Sequence, residues 1–291
     1  TSAFPTLIDG MPGAEAGFNP NEIAGTLLWF VPLGAAMLFG GEFQIAKRWY
    51  LNAIAFLLLV AIVIVEFFMI LLTESLGAWF GLGITFLLIA TLWCSKGRLL
   101  VMVVLVCLLG TMLMLPGELY EPMIAAVMPR VSGRLQHWQR GLTGIWMFPL
   151  TGMGMNMYRR LIHVLYPIFM VSHNSDIPHA HNEYLQAALD LGIPGLIAFL
   201  ALYIGAFWML ADVWKRTRTS QLASRISHLA FRTSHRATVL GLFGGLFAHM
   251  LYGLTDAVAL GAKPGVLFWM LLGLVSGLHV QVSTSDREKE R

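Results

Sequence analysis

Long apolar stretches, separated by short charged or glycine- and proline-rich breaks, dominate the chain. Seven stretches can cross a bilayer, whose hydrocarbon core of ~30 Å takes roughly 17–25 residues as a helix because every backbone amide must be paired within its own segment. They are Ile23–Phe39, Trp49–Leu72, Leu76–Trp93, Leu99–Leu115, Gly195–Ala211, Ala237–Leu254 and Val266–Val282. Lys47-Arg48, Ser95-Lys96-Gly97-Arg98 and Gly261-Ala262-Lys263-Pro264-Gly265 are among the breaks. Pro116–Asn182 is an interruption of another kind, long and carrying Trp138, Trp146, Phe148, Tyr158, Tyr166 and Phe169. A loop of that length and aromatic content is folded, and short helices at the membrane interface are expected in it. The pattern predicts an all-α, polytopic transmembrane helical bundle. Segment 1–22 precedes four helices over 23–115, a large loop spans 116–194, three helices occupy 195–282 around a basic loop at 212–236, and a tail runs over 283–291.

Composition supports this reading. At 57% apolar and 12% charged residues, with mean hydropathy +0.70, the 291-residue chain cannot cover a water-facing surface. Two cysteines, Cys94 and Cys107, exclude a disulfide framework and a cysteine-based zinc module. Residues 1–22 lack the basic-then-apolar pattern of a signal peptide. The net charge of +3 says little until the cations are sorted by side. Lys47, Arg48, Lys96, Arg98, Lys215, Arg216, Arg218, Arg225, Arg232, Arg236, Arg287, Lys289 and Arg291 fall on one side, which is therefore cytoplasmic. Arg130, Arg134, Arg140, Arg159, Arg160 and Lys263 fall on the other, all but Lys263 within the large loop. Thr1 is then outside and the C-terminus inside, and loop 212–236 reads as an anchor against anionic lipid.

Three features could carry chemistry, all on the external side. In Ser132-Gly133-Arg134-Leu135-Gln136-His137-Trp138-Gln139-Arg140, a helix places Arg134, His137 and Trp138 on one face, with Arg140 pointing elsewhere. The arginine fork suits a fixed anion such as pyrophosphate, and contact with lipid headgroups is the competing use. In Pro178-His179-Ala180-His181-Asn182-Glu183-Tyr184-Leu185-Gln186, Asn182 is a good N-cap and Tyr184–Leu191 reads as a short helix broken at Gly192 and Pro194. The helix dipole keeps His181 neutral, able to take a proton from an attacking hydroxyl, while the same N-terminus offers free amides to a phosphate. The alternative is that His181 only closes the loop. His173, Asp176, His179 and His181 also form H-x2-D-x2-H-x-H, a donor set for zinc, although the loop lacks the i, i+4 spacing that preorganises helical ligands. In Thr255–Pro264, Asp256 and Lys263 either orient His181, bind substrate or form an exposed ion pair. Within the spans, Glu66 is a costly carboxylate and so a functional candidate, while His249 and Trp269 read as bundle packing. The sequence has no P-loop and no D-x-D cluster of the kind that holds a metal-bound sugar nucleotide.

His181-Asn182, nine residues, then Gly192-x-x-Gly195 before an apolar span resembles the signature of the O-antigen ligase and O-antigen polymerase superfamily. Arg134-x3-Trp138 followed by Pro149-Leu150-Thr151-Gly152-Met153-Gly154 is similar to that family's arginine-to-glycine stretch, and Asn19-Pro20-Asn21 and Ser95-Lys96-Gly97 resemble weaker landmarks. Lys96 stands where the family usually has Arg, and Leu196 follows Gly195 where ligases commonly carry a hydroxyl residue. The resemblance implies a GT-C-like, metal-independent, inverting glycosyltransferase of the inner membrane, working at its periplasmic face without a cofactor. Its donor would be an undecaprenyl-pyrophosphate-linked glycan, and its acceptor a hydroxyl on lipid A-core, a growing glycan or a protein. Arg134 would hold the pyrophosphate and His181 would be the base. Arg140, Arg159, Arg160, His179, Asn182, Asp256 and Lys263 are the expected substrate contacts. Membrane lipids are expected partners and nucleic acid is not. Family members usually have ten or more spans with both ends cytoplasmic, so seven spans with Thr1 outside imply that an odd-numbered N-terminal set of helices is absent. A polymerase of the same superfamily is the nearest alternative. A transporter or flippase is the other, disfavoured because the spans before and after the large loop show no internal repeat.

Overall fold

The computed structural model describes residues 19–40, 48–93, 99, 102–104, 107, 117–165, 177–219, 235–258, 260 and 264–290. Regular structure among them is all helical: α1 (Pro20–Leu27), α2 (Val31–Phe39), α3 (Trp49–Thr73), α4 (Leu76–Trp93), α5 (Gly117–Met147), α6 (Tyr158–Leu165), α7 (Glu183–Thr219), α8 (His235–Tyr252) and α9 (Gly265–Glu290). Four segments among the described residues are long and apolar enough to cross a membrane, namely Pro20–Phe39, Trp49–Thr73, Glu183–Thr217 and Gly265–Ser285. A shorter apolar helix covers Leu76–Leu92. The stretch expected at Ala237–Leu254 is helical as α8, with His235, Arg236 and His249 diluting its apolar character. Most of Leu99–Leu115 lies outside the described residues.

The chain divides into two compact units, 1–82 with 200–252 and 262–291, and 83–199 with 253–261. In the first, Asn19 caps α1 by accepting from Asn21 N at 3.0 Å. Small residues bring backbones together, as expected where lipid supplies no hydrophobic drive between helices. A Cβ on Gly241 would lie 2.7 Å from Leu33 Cα, one on Gly245 would run into the Trp29 carbonyl, and one on Gly34 would lie 2.6 Å from Val63 Cγ2. Trp29 stacks on His249 at 4.4 Å, beside Phe268, and Tyr203 OH meets His249 Nδ1 at 3.1 Å. His249 is therefore packing, as the sequence suggested. Trp269 is not: it is 51% exposed, edge-on to Phe268, because α9 turns that side outward. Glu66 on α3 faces Gly34, and its Oε2 is buried with no hydrogen bond among the described residues.

The second unit carries the large loop. Where short helices were expected, α5 runs unbroken for 31 residues, with Pro122 and Pro129 inside it. It crosses the first turns of α7 at Gly141 and Gly144, where a Cβ on Gly144 would sit 2.9 Å from Leu189 Cδ2. Tyr158, Ile162, Ile177, Ala180 and Leu189 form a buried core with Ile145, Met153 and Leu185 against it. Two glycines then let main chain cross main chain. Gly152 has φ 66 and Gly192 has φ 74 and ψ −178. Met153 N donates to Leu189 O at 2.6 Å and Ile193 N to Pro149 O at 2.7 Å, so the break in α7 is bonded on both sides. That crossing sets the position of the helix start one turn-pair upstream, where the histidines lie.

Candidate active site

The start of α7 is built almost entirely from capping bonds. Asn182 Oδ1 accepts from Tyr184 N at 3.0 Å and Leu185 N at 2.9 Å, while its Nδ2 donates to Leu254 O at 3.2 Å. Glu183 N donates to Gly253 O at 2.7 Å and Gln186 N to Asn182 O at 2.9 Å. The N-cap expectation for Asn182 holds, but the first-turn amides are not free for a phosphate, because the Asn182 side chain takes those of Tyr184 and Leu185 and the Gly253 carbonyl takes that of Glu183. Glu183, 1% exposed, accepts from Val258 N at 2.7 Å and Leu260 N at 3.0 Å, tying the turn after α8 to the start of α7. Gln186 Oε1 accepts from Ala180 N at 3.0 Å, and its Nε2 donates to Asp190 at 2.9 Å, bracing the residue before His181.

His181 sits in this frame with φ 49, a left-handed conformation uncommon for a side-chain-bearing residue and often held at functional positions. Trp138 Nε1 donates to the His181 carbonyl at 3.1 Å and holds that conformation from α5. Asp256, 2% exposed at its side chain, lies behind two rings: His179 Nε2 at 3.4 Å and His181 Nδ1 at 3.5 Å from the same Oδ1. These distances are those of electrostatic contacts, longer than ordinary hydrogen bonds. Ala257 N at 2.9 Å also donates to Asp256. Burial alone would raise the Asp256 pKa, but the His181 contact, the electrostatic attraction of the two histidine rings and the Ala257 amide outweigh it and hold the carboxyl below the ordinary range, so it is a carboxylate.

His179 and His137 stay neutral near pH 7. Burial lowers His179 to about 4 although Asp256 pulls the other way, and burial together with the other histidines lowers His137 to about 4. His137, 6% exposed, lies with its ring 5.4 Å from that of His181. Its Nδ1 meets Tyr158 OH at 3.3 Å, and Tyr158 OH donates to the His137 carbonyl at 3.4 Å. His181 remains the more open ring, its side chain 27% exposed.

Of the residues singled out in the sequence, His179, His181, Asn182 and Asp256 come together. Arg134 stands on α5 one turn before His137 on the same face, partly buried, and Arg140 is also partly buried, one turn further on. Arg159 and Arg160 are exposed at the start of α6, next to buried Tyr158. Lys263, His173 and Asp176 lie outside the described residues.

Residues 56–200, which carry α3 to the kinked start of α7 and thus His181 on its capped turn, match the family model described as O-antigen ligase. The chain belongs to the O-antigen ligase superfamily. No curated protein matches it. With its long apolar helices, this O-antigen ligase superfamily member is a multi-pass membrane protein with a ligase- or polymerase-like function on a lipid-linked glycan and an acceptor.

In this family member, His179, His181 and Asp256 also offer ligand atoms within 4.8 Å of one another, a set that zinc accepts by type. The tautomer of His179 points elsewhere. His179 Nδ1 accepts from His181 N at 3.3 Å, which leaves its ring proton on Nε2, facing Asp256. A metal on Nε2 would require a protonated Nδ1 facing an acceptor, and a donor stands there instead. Glu183, Gln186 and Tyr158 were not foreseen as site-building residues, and His137 was placed only on the helix face of Arg134 and Trp138. The one available signal was Glu183 itself, a carboxylate directly after a His-Asn pair at a helix start.

Proposed function

We propose that the protein is a membrane glycosyltransferase of the O-antigen ligase type. It transfers a glycan from an undecaprenyl-pyrophosphate donor to an acceptor hydroxyl at the external face of the bacterial inner membrane. The observation that carries the reading is His181 held in a strained turn with the Asp256 carboxylate behind its Nδ1. A carboxylate at Nδ1 keeps the proton on that nitrogen and leaves Nε2 as the base, and it stabilises the imidazolium that forms. In the step, the acceptor oxygen attacks the anomeric carbon while its proton passes to His181 Nε2. The bond from that carbon to the pyrophosphate oxygen breaks, its electron pair stays on the departing lipid pyrophosphate, and the anomeric configuration inverts. Arg134 holds the pyrophosphate and stabilises charge developing there, with Arg140, Arg159, Arg160 and Lys263 as further cations on the same loop and turn. The step is complete with a base and a fixed cation, and needs no metal. Seven spans, a GT-C-like arrangement and a cytoplasmic C-terminus complete the proposal, resting on the apolar stretches and the distribution of Lys and Arg.

Arg134→Ala and His181→Ala are each expected to abolish glycan transfer while leaving expression intact. Wild-type transfer by either purified variant overturns the assignment. Gel analysis of the products separates the ligase from a polymerase, which would lengthen the lipid-linked chain without loading a separate acceptor.

A further inference from the structure

His137 has no part in that chemistry, yet it stands closer to His181 than a helix-packing role requires. Its ring is 5.4 Å from the base, tilted by 59°, on the helix face that also carries Arg134. Tyr158 dictates which nitrogen carries its proton. The single hydroxyl proton of Tyr158 is donated to the His137 carbonyl, so the Nδ1 of His137 must itself donate to the tyrosine oxygen at 3.3 Å. Tyr158 is 1% exposed, and its hydroxyl is kept protonated, its pKa raised by burial, so this assignment does not switch near neutrality. His137 is left with a lone pair on Nε2, the same nitrogen through which His181 acts as the base. Two imidazoles with ring centres 5.4 Å apart, each with a buried partner on its Nδ1 side, therefore present two hydrogen-bond acceptors. The base needs one of them. A single hydroxyl has one proton and can satisfy only one.

We infer that His137 accepts a hydrogen bond from a second hydroxyl of the acceptor, next to the one that reacts, and so selects a polyol such as a sugar ring over an isolated hydroxyl. The inference rests on His181 acting as the base. The spacing of neighbouring hydroxyls on a sugar ring suits rings 5.4 Å apart when each takes a bond of ordinary length. A buried acceptor that loses its donor is left unpaired, so an analogue lacking the second hydroxyl is penalised even though its reacting group is intact.

The test uses the full chain in proteoliposomes with an undecaprenyl-pyrophosphate-linked oligosaccharide. The acceptors are a methyl hexopyranoside and its singly deoxygenated analogue lacking the hydroxyl beside the reacting one. The unsubstituted protein is expected to prefer the full sugar by about tenfold or more in kcat/KM, the worth of one hydrogen bond in a dry site. His137→Phe should bring that ratio to about one, chiefly through KM for the full sugar, and His137→Gln, which can place an amide oxygen near the Nε2 position, should restore part of it. A merely structural His137 would lower transfer to both acceptors equally and leave the ratio unchanged, which would overturn the inference. If His137→Phe does not fold, an unchanged ratio in His137→Gln together with no preference in the unsubstituted protein overturns it equally. Failure of the underlying reading shows separately, as transfer by His181→Ala to either acceptor.

Discussion

Replacing Gly192 with alanine strains the element that positions the base. Gly192 adopts φ 74 and ψ −178, a conformation almost confined to glycine, which costs any other residue ~1–3 kcal/mol. A Cβ there would also lie 2.5 Å from Leu150 O, 2.6 Å from Leu150 C and 3.0 Å from Gly152 N. These are backbone atoms held by the Met153–Leu189 and Ile193–Pro149 bonds, so nothing nearby can rotate away. Forced overpacking of this kind adds ~1–3 kcal/mol. The sum is about 2–6 kcal/mol, and at roughly 2–4 °C per kcal/mol the thermal midpoint in detergent should fall by about 4 °C or more. Gly205→Ala on α7 is the control: its added Cβ meets nothing within 4 Å, and alanine favours the helix by ~1 kcal/mol, so the midpoint should hold or rise. Transfer activity should fall in Gly192→Ala even below its melting range, because the strain is relieved by moving the α7 start that carries His181. An unchanged midpoint and unchanged activity in Gly192→Ala would refute the reasoning that this crossing is rigid.

Other perturbations probe the polar frame. Asp256→Asn should lower kcat by roughly 100-fold or more with a smaller change in KM, since the base loses its tautomer and its counter-charge; a KM effect alone would place Asp256 on the substrate instead. Glu183→Gln leaves one of the Val258 and Leu260 amides without its acceptor, at a cost of ~1–3 kcal/mol, and should reduce transfer by displacing Asp256, read as faster amide exchange over Gly253–Gly261. His137 and His179, lowered to about 4 from 6.5, stay unprotonated in the fold where the unfolded chain binds protons. Stability should therefore be full above about pH 6.5 and fall as pH drops toward 4, and His179→Gln should flatten that slope; a midpoint independent of pH between 7.5 and 5 would contradict it. Exhaustive chelation should leave transfer intact, and stoichiometric zinc with activity lost to chelator would favour the His179, His181 and Asp256 ligand set.

Much of the architecture could be read along the chain, because it arises from interactions a few residues apart. Apolar runs marked the helices at Trp49–Thr73, Glu183–Thr219 and Gly265–Glu290, and the Asn182 cap with the break at Gly192 followed from side-chain and backbone preferences acting locally. The shared face of Arg134, His137 and Trp138 followed from helical spacing. The length of α5 did not, since its proline-bearing, mixed sequence carries no clean period and its helix is supported by crossing α7 at Gly141 and Gly144. The composition of the site was also out of reach. Asp256 comes to His179 and His181 from a turn far along the chain, His137 is brought beside His181 by that same crossing, and Glu183 turns inward to hold the strand of chain that carries Asp256. A sequence records which groups are present and their local spacing. Which of them share a desolvated space depends on closing long loops against packed helices, and only the folded chain settles which nitrogen of each histidine keeps its proton.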